Sequence, residues 1–321
     1  MTSTALLPPR IAPREGFYGP QFGPSGAQTR INASTFQLYK ACDAKYYLSV
    51  LAGWAKSESD PHLRFGSLLH AAKALYETNR ARGADHDLAL QGAFRWLLRE
   101  TWNFTLNKPS FTEDPVKNRD TLLRTFVWYA DHYGRDGDPC ETLLLPSGSP
   151  AVEVRFEFDS GVVNPYGEQM TFVGTIDRLV RFNGKSYVSD IKTSTSARWL
   201  SAWNYSPDGQ FSLYPLAAWV CFDVPVEGVM LDGIELTTNG AKMHREIVPR
   251  SHAVLEEWLR DNRVHLRRLG ESVARDEWPQ NDAACGLYGG CGFRAFCSAD
   301  PSTRDAIIAL RAPQLEREKA T

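Results

Sequence analysis

From Ala151 to Ser160 the chain reads AVEVRFEFDS, with apolar and polar residues alternating, whereas the preceding hundred or so positions repeat with a helical period. Alternation sends successive side chains to opposite faces, so this segment is predicted to be a strand. Further strands are expected at QMTFVGTID (169–177), across a hairpin over 175–194, and at GVMLDGIELTT (228–238) and AKMHREIVP (241–249). Ahead of them, Ser34-Thr-Phe-Gln37 has the S-x-x-Q form of a capping box and predicts a helix running toward Cys42 and Tyr47. A second helix is predicted from Pro61 to Arg80 through FGSLLHAAKALYE, and more helix over 86–134. Helices at 208–221 and 251–278 complete the pattern, with Pro215 expected to kink the first of these or mark its first turn. Residues 1 to 30, rich in Pro and Gly and without hydrophobic period, read as an extended arm. The expectation is an α/β protein with one domain over 31–300: a mixed, mostly antiparallel sheet flanked by helices, with a crossover helix, followed by a helical tail over 301–321.

The hairpin carries the first chemical signal. Asn183-Gly184 between strand formers predicts a two-residue type I′ turn, because both residues tolerate positive φ. Phe182 then faces Lys185, and counting outward sets Asp177 opposite Asp190. Lys192 shares the face of Asp190 and lies opposite Thr175. Directly opposed carboxylates destabilise a sheet unless a cation cancels them, and carboxylate oxygens suit Mg²⁺ or Mn²⁺. A solvated hairpin face with two Asp and a Lys has the same sequence, so the rest of the chain has to decide.

Gln210 and Tyr214, four apart on the next predicted helix, stack on one face and could orient a water or hold a phosphate. His70, one helical turn after Gly66, sits among apolar neighbours; it reads as a core histidine, or as an imidazole joining carboxylates around a metal. Glu153 reads more as an exposed charge than as a partner.

Composition narrows the class. The 321 residues carry a formal net charge of −2, which excludes polyanion binding by bulk charge and leaves it to a local basic groove. Lys117, Arg119 and Arg124, or Arg260, Arg263, Arg267 and Arg268, are candidates for such a groove, although solvated helix faces look alike. No secretory leader or transmembrane segment is legible, which predicts a cytoplasmic protein with no membrane partner. Of six cysteines, Cys285, Cys291 and Cys297 recur at equal intervals in CGLYGGCGFRAFC, one ligand short of a Cys₄ site, and Cys42 could supply it. Such a site binds Zn²⁺ or an iron–sulfur cluster and would staple the N-terminal helix to the C-terminal segment.

Taken in order, these residues resemble the PD-(D/E)xK nuclease superfamily, in particular its RecB-type exonuclease branch with an iron–sulfur motif, as in phage and CRISPR-associated exonucleases. The resemblance runs from Ser34 to Ser298: a helical His70, GTID with Asp177, the strand Asp190-Ile191-Lys192, and Gln210 with Tyr214, with one cysteine before and three behind. It implies a restriction-endonuclease-like core that cleaves DNA with Mg²⁺ or Mn²⁺ held by His70, Asp177, Asp190 and the carbonyl of Ile191. Asp177, Asp190, Lys192, Gln210 and Tyr214 would be the catalytic set, and Cys42, Cys285, Cys291 and Cys297 would bind a [4Fe–4S] cluster, with Zn²⁺ as the alternative. The even cysteine spacing departs from the branch's usual uneven pattern. No G-x-x-x-x-G-K-[ST] segment is present, so a stand-alone nuclease or the nuclease partner of a helicase or recombination protein is implied. A non-catalytic DNA-binding or assembly protein on this fold, and a zinc-stabilised restriction-type endonuclease, are the alternatives.

Overall fold

The computed structural model describes residues 21–53, 61–111, 114–286, 290–304 and 306–307; of the expected arm over 1–30 and tail over 301–321, residues 1–20, 305 and 308–321 lie outside the described residues. Along the chain run β1 (Arg30–Ile31), α1 (Ala33–Ala41), α2 (Asp43–Tyr46), a π-helical turn (Tyr47–Leu51), α3 (Pro61–Ala81), α4 (His86–Glu100), the short strands β2 (Trp102–Asn103) and β3 (Lys108–Pro109), and α5 (Arg119–Gly134). Then come β4 (Glu141–Thr142), β5 (Val152–Val163), β6 (Gln169–Phe182), β7 (Lys185–Ser194), α6 (Gln210–Phe222), β8 (Gly228–Leu236), β9 (Ala241–Pro249), α7 (His252–Arg275) and α8 (Arg294–Ser298). The architecture is the expected one, a mixed sheet flanked by helices. Among the described residues, no helix is long and apolar enough to cross a membrane.

The chain divides into two compact units, with β5, β6 and α7 contributing residues to both. Among the described residues, the first comprises 61–111, 114–158 and 174–258. Within it β6 and β7 are antiparallel, β7 and β8 are parallel with α6 as the crossover, and β8 and β9 are antiparallel. Tyr187–Ile191 of β7 and Gly228–Ile234 of β8 are buried without a break, as parallel neighbours covered on both faces must be. The apolar stripe Phe65, Leu69, Ala72 and Tyr76 of α3 packs with Ala89, Ala93 and Leu97 of α4 and Leu122, Phe126 and Tyr129 of α5 over Ile191 and Ile234.

Among the described residues, the second unit comprises 21–53, 159–173, 259–286, 290–304 and 306–307. Here β1 pairs parallel with Thr171 and Phe172 of β6, and Phe36 of α1 meets the Phe172 ring edge-on at 6.0 Å. Leu259, Leu266 and Leu269 bury one face of α7.

Three local expectations are corrected. Ser34 does not cap α1; Asn32 does, accepting the Thr35 N–H at 2.9 Å, since a cap must precede the first helical residue with extended backbone. That helix ends at Cys42, whose φ of −168° and ψ of 116° start α2 afresh. The helical stretch over 86–134 is two helices, separated at Thr101 by the β2–β3 hairpin.

Candidate active site

Asn183 and Gly184 take φ values of 48° and 74°, as a type I′ turn requires, and the β6–β7 ladder runs from Phe182↔Lys185 to Arg178↔Ser189. One further step brings Asp177 against Asp190, and there the ladder stops: the Ile191 N–H points to Asp177 Oδ2 at 3.4 Å instead of to a backbone carbonyl. The strands open where the two carboxylates need space.

Helix α3 delivers His70 to this opening. Its Nδ1 lies 3.0 Å from Asp177 Oδ2, and its Nε2 lies 3.0 Å from the Ile191 carbonyl oxygen. Both partners are acceptors, an arrangement that favours the protonated imidazole. Burial pulls its pKa down, but the charge and hydrogen bond of Asp177 outweigh that and raise it.

Lys192 Nζ lies 2.8 Å from Asp190 Oδ2 and donates to Asp190 Oδ1 at 3.1 Å and to Gln210 Oε1 at 3.3 Å. Gln210 Nε2 closes the triangle by donating to Asp190 Oδ1 at 2.8 Å. Gln210 therefore braces the carboxylate and ammonium to each other rather than standing apart to hold a water. Tyr214, one turn on, packs its ring edge-to-face on Phe156 at 5.6 Å. The glycine of GTID makes room for both rings: a Cβ on Gly174 would lie 2.5 Å from Phe156 Cζ and 3.2 Å from Tyr214 Cε1.

Glu153 is exposed, as the alternation predicts, and still reaches the site. Together with His70 and Asp177 it offers three ligand atoms within 4.8 Å of one another, the one such group among the described residues. Its backbone sits at a φ of 51°, a conformation non-glycine residues rarely adopt and one that turns up at functional sites. Alternation alone puts Glu153 on an exposed face; nothing in the sequence signals that dihedral. Lost hydration, then repulsion from Asp177, pushes its pKa up to about 7.

The two aspartates are driven apart. Burial would raise Asp177, but His70, then Lys192 and Lys73, hold it below the usual carboxylate value. Asp190 is raised, first by burial and then by Asp177, against the pull of Lys192. Asp190 Oδ2 is also buried without a properly aligned hydrogen-bond donor, although Lys192 stands close to it. A hard cation fits this donor set, which combines a crowded group of oxygens and one imidazole with a buried carboxylate oxygen lacking a hydrogen bond. An open cleft of about 790 Å³, lined by His70, Glu153 and Asp177 with Leu63 and Trp96, gives access.

In the second unit, Cys42, Cys285, Cys291 and Cys297 line a single pocket of about 260 Å³. Asn281 fixes its rim, donating its backbone N–H to Cys42 Sγ at 3.4 Å and its side-chain amide to the Ala41 carbonyl at 2.8 Å. Burial, then the neighbouring Cys291, Cys42 and Cys285, push the Cys297 thiol up. Cys140 and Cys221 are elsewhere, the first 3.2 Å from Met230 Sδ and the second donating to the Glu157 carbonyl. Several basic residues considered for a groove serve the fold: Lys117 is buried over the Phe65 ring, Arg119 donates to Thr101 Oγ1 at 3.0 Å, and Arg263 donates to the Ser160 carbonyl at 2.7 Å.

A family model described as the PD-(D/E)XK nuclease superfamily matches residues 30–298. No curated protein matches the chain. Among solved structures, the "Putative exonuclease" of Eubacterium rectale is similar at 12% identity and a TM-score of 0.45, over 80% of this chain and 87% of that one. The protein SSO0001 is similar at 18% identity and a TM-score of 0.26, over 73% of this chain and 86% of its own.

Proposed function

Because the chain belongs to the PD-(D/E)XK nuclease superfamily, whose nucleases use divalent metals, we propose that it hydrolyses phosphodiester bonds in DNA with Mg²⁺ or Mn²⁺. The action we assign is exonucleolytic, in recombination, repair or end processing. The observation that carries this reading is the buried Asp190 Oδ2, which lacks an aligned donor and belongs to a carboxylate set opposite Asp177 on a strand pair that opens at that point. His70, Glu153, Asp177, Asp190 and the Ile191 carbonyl would hold the metal, which when bound neutralises charge on the phosphate and acidifies a water.

The chain's own groups do the rest. Lys192, held by Asp190 and Gln210, is a fixed cation beside the reacting phosphate and stabilises the charge that builds on it. To act as a ligand His70 must offer a ring nitrogen free of its proton and turned from its present acceptor, so cation affinity should rise with pH. Tyr214 and Gln210 shape the wall against which the phosphate or its water rests.

The four-cysteine pocket supports a structural [4Fe–4S] cluster, with Zn²⁺ as the alternative.

The test is digestion of end-labelled linear and closed circular DNA with Mg²⁺, with Mn²⁺ or with a chelator, beside Lys192→Ala. Metal-dependent loss of label from linear DNA, leaving circles intact and vanishing in the variant, is the expected result. Equal turnover by Lys192→Ala would remove the assignment. Visible absorbance and iron and zinc content of anaerobically purified protein decide the cysteine site.

A further inference from the structure

Between the strand bearing Asp190 and Lys192 and the helix bearing Gln210, the chain makes two single 3-10 turns, Ala197–Leu200 and Ala202–Tyr205. Trp199 is 50% exposed there and Trp203 83% exposed. Indoles are the largest apolar side chains, and two of them left in water within five residues call for an occupant.

The segment that displays them is tied down at many points. Leu200 is buried and seats against β8 at Gly233, where an added Cβ would come within 3.0 Å of Leu200 Cβ. The backbone N–H groups of Ala197 and Ala202 donate to Glu235 Oε1 at 3.3 Å and to Glu246 Oε2 at 2.7 Å. Tyr205 donates its hydroxyl to the Trp199 carbonyl at 3.1 Å, the Asn204 amide donates to the Arg198 carbonyl, and the Arg250 guanidinium holds the Tyr205 carbonyl. The Tyr205 ring stacks on Phe211 at 4.5 Å, and Lys192 Nζ lies 5.8 Å from the centroid of that same Phe211. Arg198 adds a guanidinium 5.5 Å from the Trp199 ring centroid.

We propose that this segment is a base-stacking platform that holds unpaired nucleotides next to the cleavage centre, so that the substrate is a DNA strand presented single-stranded or with a single-stranded end. The inference rests on the nuclease reading of the adjoining site. A base inside a duplex has both π faces covered by its neighbours; an unpaired base offers them, and rigid aromatic rings beside a cation take it without regard to sequence. Two indoles and one guanidinium match the alternation of base and phosphate along a single strand. A protein partner is the competing occupant, but the position of these rings on the direct connection between Lys192 and Gln210 favours the molecule being cut.

Binding is measured first without divalent metal, by anisotropy of a labelled oligothymidylate and of a blunt hairpin duplex, for the full chain and for Trp199→Ala, Trp203→Ala and Trp203→Phe. Each alanine variant should lose roughly 5- to 100-fold in affinity for the single strand, with Trp203→Phe keeping most of it and duplex affinity unmoved. Unchanged single-strand affinity in both alanine variants overturns the proposal, as does failure of the intact protein to prefer the single strand. Cleavage with Mg²⁺ or Mn²⁺ separates this from the nuclease reading. Lys192→Ala should abolish cleavage and keep the binding preference, and absence of cleavage in the intact protein defeats the nuclease reading while the binding data still judge the platform. Cleavage with equal kcat/KM on overhanging and blunt ends in intact protein and Trp203→Ala defeats the platform alone.

Discussion

At Lys73 and Glu77, helix α3 enters a buried network in which each charge has a partner; one turn earlier, at His70, it enters a cluster in which carboxylates crowd each other. In the network Asp232 meets Lys73 at 3.7 Å, Arg245 at 2.6 Å and the Tyr129 hydroxyl at 2.7 Å. Arg178 is paired with Glu77 at 2.9 Å and Arg245 with Asp138 at 2.9 Å. In the His70 cluster Glu153, Asp177 and Asp190 share one imidazole and the ammonium of Lys192, with Lys73 acting on Asp177 from the network, and one buried oxygen takes no aligned hydrogen bond. Both sets sit beneath the same helix, but they differ in burial: Lys73, Glu77 and Asp232 are buried, whereas His70 and Asp177 are partly exposed and Glu153 is exposed. They differ in closure as well: the network's charges are paired within the chain, whereas the cluster crowds three ligand atoms of the kind a cation would take.

The comparison breaks most visibly at Asp232. Asp232→Asn leaves Lys73 and Arg245 buried without their shared counter-charge, and should cost about 3–5 kcal/mol in chemical denaturation while leaving cleavage per folded molecule intact. At Lys192 the outcome should invert. Lys192→Ala should lower kcat by about 10²–10³-fold, the usual cost of removing one fixed group that stabilises transition-state charge, with a smaller loss of stability than Asp232→Asn, because the buried Asp190, whose carboxyl is already raised, can take up a proton once its partner is gone. A drop in stability as large as that of Asp232→Asn would place Lys192 in the structural class.

Glu153→Gln sharpens the contrast at a smaller scale. Removing one of several crowded negative charges should raise the melting temperature slightly in chelator and weaken Mn²⁺ binding by about 10–100-fold in calorimetry. A variant that melts lower and binds Mn²⁺ as before would make Glu153 an ordinary strand residue. The smallest effect is one of pH. Burial works to raise Asp232, but Lys73 and Arg245 lower it below the ordinary carboxylate value. A depressed folded-state pKa gives stability that is complete above about pH 4 and is lost as pH falls toward the folded value, so intact protein should lose stability more steeply below pH 4 than Asp232→Asn does.

Much of the candidate site is legible in the sequence because its spacing is set locally. Asn183-Gly184 admits one tight turn, and that turn fixes the register that sets Asp177 against Asp190 with Lys192 two residues beyond. The structural network was illegible for the opposite reason. Lys73, Glu77, Asp138, Arg178, Asp232 and Arg245 come from separate elements, and a charged residue in a sequence reads as surface until its distant partner is known. Ser34 shows how a correct local motif loses to a neighbour, since Asn32 offers the same kind of oxygen at the position where the backbone is still extended.

By itself, then, the sequence settled the alternation of elements, the hairpin register and the cysteine spacing, all of which are short-range consequences of side-chain periodicity and turn geometry. Tertiary packing decided which face of α3 presents His70, that Glu153 turns into the cluster through a positive φ, that Gln210 braces Lys192 against Asp190, and that Cys42 lines one pocket with three cysteines more than two hundred residues away. Those outcomes depend on where separate elements come to rest against one another, and the free energy that places them is spread over the whole core rather than written in any short stretch of chain.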